Sequence, residues 1–314
     1  MNTDKRILVT GGTGFIGTNL VNLLRSEGFT NVTVVGSKDY NLMERSQVSE
    51  LFTACKPEIV VHLAAKVGGI DDIKSKPAEY YYENMLMCTY VLDECKNHGV
   101  EKIVAIGTNC SYPPDIDVPF KESDLFNGYP QKVNASYGMV KRAFYQQCVS
   151  YKQQYGTDFI YLIPTNAYGV GDHFDEASGH VIPAMIKKFA KAVETNTKVT
   201  LWGRGIATRE FMYIDDVSRS IFRAMTDYDG DEPLNIGTGI ETSIKELATA
   251  VAELTGYTDE IIWDVDKPEG YLRKCLDNTN MKKYFGDVEF TPLYEGLKKT
   301  VDWAASTGII RRAT

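Results

Sequence analysis

Tyr137 and Lys141 stand one helical turn apart in the run Ser136-Tyr137-Gly138-Met139-Val140-Lys141. On a helix, residues at this spacing share a face, so phenol and ammonium point the same way. A cation beside a phenol favours phenolate and draws down a hydroxyl that otherwise titrates at about 10. The pair therefore predicts a proton donor and acceptor usable near neutral pH. Alone it means little, because a chain with 19 tyrosines produces such a spacing by chance. It gains force only beside a nucleotide site.

Such a site is expected upstream. Ile7-Leu8-Val9-Thr10 is a short β-branched run of the kind found in buried parallel strands. Gly11-Gly12-Thr13-Gly14-Phe15-Ile16-Gly17 follows, and residues from Thr18 to Glu27 carry apolar side chains at helical spacing. Gly11, Gly14 and Gly17 suit a tight turn, close approach to a pyrophosphate and close helix–strand packing. The start of that helix offers free N–H groups and a positive dipole end to phosphates, and Phe15 and Ile16 in the turn are expected to contact the cofactor. A second strand, Val32 to Val35, leads into Gly36-Ser37-Lys38, with no acid before Asp39. An acid at that strand end would favour NAD through the ribose 2′-OH. Ser37 and Lys38 instead suit a 2′-phosphate, so the expected cofactor is NADP(H).

The elements that must carry Tyr137 alternate. Ile59 to Ala65 reads as a strand ending in Leu63, Ala64 and Ala65, Ala78 to Asn97 as a long helix, and Lys102 to Gly107 and Asp158 to Ile163 as further strands. The predicted fold is α/β, a Rossmann-type doubly wound parallel sheet with a smaller α/β substrate lobe, binding ligands at the strands' carboxyl ends. Ile106, Gly107 and Thr108 fall at one such end, and Pro164, Asn166 and Ala167 at another. Thr108 is placed to hydrogen-bond a substrate oxygen beside Tyr137. Judged by residue type alone, Cys110 is a buried apolar thiol and His180 a structural histidine. Residues 1–165, with returning segments near 211–217 and 233–250, are expected to hold the cofactor. The substrate lobe is expected over 166–210 and 251–314.

Composition narrows the class. A chain of 314 residues buries a large core, and a net charge of −8 argues against a nucleic-acid surface. Cysteines 55, 88, 95, 110, 148 and 275 show no C-x-x-C spacing and no secretory signal precedes them. They read as reduced thiols, mostly in the core, and no metal ligand set stands out. No apolar run reaches membrane-spanning length, so a cytoplasmic protein is expected.

Longer runs carry a resemblance. They include Leu63-Ala64-Ala65-Lys66-Val67-Gly68-Gly69-Ile70, Glu83-Asn84-Met85, Pro164-Thr165-Asn166-Ala167-Tyr168-Gly169 and His180-Val181-Ile182-Pro183-Ala184. Trp202-Gly203-Arg204-Gly205, Arg209-Glu210-Phe211, Asn235-Ile236-Gly237-Thr238-Gly239 and Lys267-Pro268-Glu269-Gly270 continue them, as does the S-x-H-V-I-P segment from Ser178. Over nearly its whole length the chain resembles the extended short-chain dehydrogenase/reductase family, and within it the GDP-L-fucose synthases. That resemblance implies NADPH-dependent 3,5-epimerisation and 4-reduction of GDP-4-keto-6-deoxy-D-mannose. Cys110 then matches the family's base, His180 its acid and a cofactor contact, and Tyr137, Lys141 and Thr108 the reductase group. Asn166, Lys188, Trp202, Arg209 and Asp277 match its substrate contacts; on residue type alone Lys188 and Asp277 read as surface groups.

The match has departures. Thr108 stands for the usual serine, Asn109 and Ser111 flank Cys110 unusually, Ser136 and Lys188 replace proline and arginine, and Tyr271-Leu272 replaces Thr-Pro. All touch the expected pocket. They leave open another GDP-4-keto sugar such as a heptose, or an enzyme that only epimerises or only reduces; the competing readings are a simple sugar-nucleotide reductase or 4-epimerase and a non-catalytic dinucleotide sensor. By analogy with the fold, a homodimer is expected through helices about 78–97 and 137–155.

Overall fold

The structure, a computed structural model, describes residues 1–174, 180–267 and 270–311. Ser178, Gly179, Pro268 and Glu269, quoted above, lie outside the described residues. Five short runs alternate with helices through the first half: β1 (Ile7–Thr10), β2 (Val32–Val35), β3 (Ile59–His62), β4 (Lys102–Ile106) and β5 (Phe159–Pro164). The helices between them are α1 (Phe15–Ser26), α2 (Arg45–Cys55), α3 (Ile70–Ser75), α4 (Pro77–Asn97) and α5 (Ala135–Tyr155).

After β5 the elements shorten. They run β6 (Asn166–Tyr168), α6 (Val181–Thr195), β7 (Thr200–Trp202), β8 (Thr208–Tyr213), α7 (Ile214–Asp227) and β9 (Pro233–Ile236). The chain continues through β10 (Glu241–Ser243), α8 (Ile244–Thr255), β11 (Ile262–Asp264), α9 (Thr279–Phe285) and α10 (Leu293–Ser306).

The main sheet is parallel throughout, in the order β2-β1-β3-β4-β5-β9. Its inner strands are buried along almost their whole length, which is why they are continuous apolar runs rather than alternating ones. Leu8, Val60, Ile103 and Phe159 belong to the core packed with α2, α4 and α5. Val9, Val61, Val104 and Ile160 belong to the core packed with α1, α6, α7, α8 and α10. From β1 the chain goes to β2 on one side, then crosses back through α2 to β3 on the other side of β1. The resulting switch point opens a crevice at the ends of β1 and β3, where doubly wound sheets take ligands.

The strand expected over Ile59 to Ala65 stops at His62. Leu63 N still bonds Thr10 O, but the backbone then crosses directly over Gly11, and Lys66 N is taken by the Asn84 side chain. The first helix starts at Phe15 rather than Thr18. Phe211 to Tyr213 lie in β8, which joins β6 and β10 in a separate three-stranded sheet, whereas Pro233 to Ile236 form the sixth strand of the main sheet.

Candidate active site

The crevice at the switch point is cut to fit a backbone-hugging ligand. Gly11 has φ +68°, and a Cβ there would lie 2.7 Å from Ala64 N. A Cβ on Gly17 would lie 2.2 Å from Gly11 O, so α1 sits directly against the turn. No side chain caps the start of α1, and its first turn has no acid. Gly14 N is taken by Gly11 O at 3.0 Å, so the N–H groups left to an external anion begin at Phe15 and Ile16. Ser37 and Lys38 are exposed beyond β2. Asp39 Oδ2 accepts from Gly36 N at 2.7 Å, which ties the loop back to the end of β2. The residues present fit a dinucleotide with a 2′-phosphate.

Beneath the crevice, Thr10 and His62 share a buried 2.7 Å hydrogen bond. Burial pushes the His62 imidazole down to about 3, so it is a neutral tie between β1 and β3.

At the end of β4 the chain makes a 3-10 turn over Asn109–Ser111, started by Thr108, whose Oγ1 accepts from Cys110 N at 3.2 Å. That bond uses an oxygen lone pair and leaves the Thr108 hydroxyl hydrogen free to donate. α5 packs against this turn, and Gly138 makes the approach feasible: a Cβ there would lie 2.7 Å from Cys110 O. Tyr137 and Lys141 share a face, the ammonium lying 5.7 Å from the phenol ring centroid. Lys141 is buried, and its Nζ donates to Ile106 O at 2.8 Å.

Proximity was expected to lower the Tyr137 hydroxyl, but it is raised. Burial of the phenolate is the largest cause, with the neighbouring Cys110 thiol adding to it. Burial also lowers Lys141, whose ammonium is held by a carbonyl rather than by the phenol. In this state Tyr137 is a protonated donor.

The remaining expected residues occupy a second edge, built from α6, β7, β8 and the 270–278 segment. His180 is the N-cap residue of α6; its side chain is 56% exposed and its Nδ1 lies 3.3 Å from Oδ1 of the fully buried Asp172 carboxylate. Hydrogen bonding to Asp172 raises the imidazole above its ordinary range. Asn166 donates to Glu210 O at 2.9 Å, and Lys188 to Thr200 O at 2.5 Å. Trp202 is 61% exposed, with Lys267 over its ring. Arg209 donates to Thr208 O and Tyr271 O, and burial lowers it. Asp277 accepts from Thr279 N at 2.8 Å, at the start of α9.

Thr108, Cys110, Tyr137 and Lys141 are thus gathered by the β4–α5 contact, whereas His180 and Lys188 stand on α6, Trp202 on β7 and Arg209 on β8. Sequence reasoning passed over Asn134, Lys274 and Asp172. Asn134 lies one turn before Tyr137 and could have been found by that spacing. Lys274 is 164 residues from Cys110, and no local pattern reveals it. The cysteines divide as composition suggested: 88, 95, 148 and 275 are buried, while Cys55 and Cys110 are partly exposed. No helix among the described residues is long and apolar enough to cross a membrane.

A glycine cradle at the switch point with a tyrosine–lysine helix beside it defines a dinucleotide-dependent oxidoreductase or epimerase. Residues 7–237 match the model of the NAD dependent epimerase/dehydratase family, and the chain belongs to that family, within the extended short-chain dehydrogenases/reductases. It is 36% identical to the GDP-L-fucose synthase of Sinorhizobium fredii (strain NBRC 101917 / NGR234), covering 95% of both chains. A GDP-L-fucose synthetase from Naegleria fowleri bound to NADP superposes with a TM-score of 0.91 at 27% identity, over 98% of this chain and 96% of that one. A GDP-6-OMe-4-keto-L-xylo-heptose reductase from C. jejuni also gives 0.91 at 27% identity, over 98% and 99%.

Proposed function

We propose that this enzyme uses NADP(H) to epimerise C3 and C5 of GDP-4-keto-6-deoxy-D-mannose and then reduce C4, yielding GDP-L-fucose. The observation that carries this reading is one cluster holding a thiol, two hydroxyls and a buried ammonium. A simple reductase has use for Thr108, Tyr137 and Lys141 but none for a partly exposed cysteine beside them.

C–H bonds next to a 4-keto group are acidic because the carbanion becomes an enolate. Cys110 Sγ takes the proton from C3 or C5, and the C–H electron pair moves to place negative charge on the C4 oxygen. His180, whose imidazolium the Asp172 carboxylate favours, returns a proton from the opposite face, inverting the centre. The free hydroxyl hydrogens of Thr108 and Tyr137 hold the charge on that oxygen. NADPH, when bound, supplies hydride to C4, and in that step Tyr137 gives its proton to the same oxygen. Both halves of the reaction thus rely on one set of donors.

In this reading residues 1–165 and the returning segments hold the cofactor, while 166–210 and 251–314 hold the sugar nucleotide. Arg209 and Lys188 would neutralise the diphosphate, Trp202 would pack on a flat ligand face, and Asn166 and Asp277 would orient it. α4 and α5, packed side by side, would form the dimer face, where Tyr81 and Tyr82 are exposed; light scattering that gives a monomer would remove this part.

NADPH consumption with GDP-4-keto-6-deoxy-D-mannose in D₂O, with NMR of the product, tests the whole. Deuterium at C3 and C5 with NADPH oxidation supports the bifunctional reading, and oxidation without deuterium reduces it to a reductase. A second reading, a GDP-4-keto heptose as substrate, is favoured by Tyr271, which stands in place of threonine and lines a narrow cleft with Cys110, Gln131 and Lys274. Faster turnover of the heptose would select it.

A further inference from the structure

Cys110 has two nitrogen neighbours on its sulfur, and as a thiol it also donates to Asn109 Oδ1 at 3.6 Å, a bond the thiolate gives up while keeping both nitrogens. Lys274 Nζ lies 3.6 Å from Sγ and Asn134 Nδ2 lies 3.7 Å from it. The titratable groups around the thiol are Tyr137 from α5, Tyr112 just after the 3-10 turn, and Lys274 and Tyr271 from the segment before α9. Of these, Lys274 alone is cationic.

Its position is built rather than incidental. The residues after it are clamped from two sides. Phe120 N donates to Cys275 O at 2.8 Å and Asp277 N to Phe120 O at 2.8 Å. Leu276 N donates to the buried Glu210 carboxylate at 2.9 Å. Lys274 is therefore held one residue from a fixed anchor, and its half-buried side chain reaches back to the sulfur. A neutral thiol accepts weakly from nitrogen, whereas a thiolate accepts strongly and is favoured by a nearby cation.

We propose that Lys274, assisted by the Asn134 amide, is a positioning residue that holds Cys110 as the thiolate. This rests on Cys110 being the base of the proposed epimerisation, and it supplies what that base needs, a sulfur already free of its proton. The proton acquired from C3 or C5 then sits on sulfur beside Lys274 until it is passed to water or to the next intermediate.

The test is alkylation of Cys110 by iodoacetamide in the ligand-free full chain, followed by peptide mass mapping from about pH 6 to 9. Lys274→Met should slow alkylation about tenfold at pH 7 and displace the rate–pH profile to higher pH. Lys274→Arg should stay within about threefold of the parent, because the charge is kept. Unchanged alkylation in Lys274→Met at every pH would overturn the proposal. So would a slow Lys274→Arg variant with native melting. If Lys274→Met does not fold, Lys274→Gln carries the same comparison.

A rise in KM alone, with alkylation intact, would make Lys274 a phosphate contact and also refute it. The two readings separate cleanly. Lys274-dependent alkylation without C3 or C5 deuterium in the parent removes the epimerase reading and leaves the lysine–thiolate pair. Full deuterium entry with Lys274-independent alkylation does the reverse.

Discussion

The two edges of the candidate site are constructed differently. At the β4–α5 edge the groups are locked: Lys141 is fully buried on Ile106 O, Thr108 caps its own turn, and Gly138 lets α5 touch the Cys110 backbone. At the α6–β8 edge they are accessible: Trp202 is 61% exposed and Lys188 sits exposed on Thr200 O. The first edge has settled its geometry before any ligand arrives, as bond-making chemistry demands. The second keeps its side chains on backbone carbonyls that a diphosphate could replace, so ligand binding must do the ordering there. Mutations should therefore act on turnover at the first edge and on KM at the second, with the proton-donating His180 and its partner Asp172 the exceptions there.

The sharpest test is Tyr137→Phe. It should lower kcat for reduction about a thousandfold while leaving NADP(H) binding and melting nearly intact, read by steady-state kinetics and cofactor titration. A drop confined to KM would erase the distinction between the edges. Arg209→Met should do the opposite, raising KM for the GDP-sugar about thirtyfold with kcat within a few-fold. Lys38→Ala lies outside both edges and should reduce the preference for NADPH over NADH about tenfold, measured as the ratio of kcat/KM values.

The smallest effect is expected at Asp172, and its sign can be worked out. The carboxylate raises His180, so the protonated acid survives to higher pH than an ordinary histidine. Asp172→Asn should move the alkaline limb of the epimerisation profile to lower pH, costing about threefold at pH 8. The same linkage acts on stability. A raised folded value contributes fully below the unfolded value of about 6.5 and is lost as pH rises through the folded one. The melting difference between parent and Asp172→Asn should therefore be larger at pH 6 than at pH 9. An equal difference at both would show that His180 does not gain its proton from this pair.

The comparison also shows what could be read along the chain. Local spacing determined the glycine turn, the buried strands from Ile7 to Thr10 and Lys102 to Ile106, and the shared face of Tyr137 and Lys141, because each rests on periodicity within a few residues. It also placed Thr108 and Cys110 at a strand end, where the alternation of elements requires a ligand crevice. Protonation was not legible: Tyr137 is raised rather than lowered, since burial outweighs a nearby cation and spacing carries no information about burial. Nor was the company each group keeps. Lys274 reaches Cys110, Asp172 reaches His180, and Glu210 anchors Leu276 only because the sheet order and the clamped 275–277 segment bring distant stretches together. Tertiary structure alone decided those contacts, because chain connectivity constrains neighbours within a turn, while long-range pairs depend on how whole elements pack.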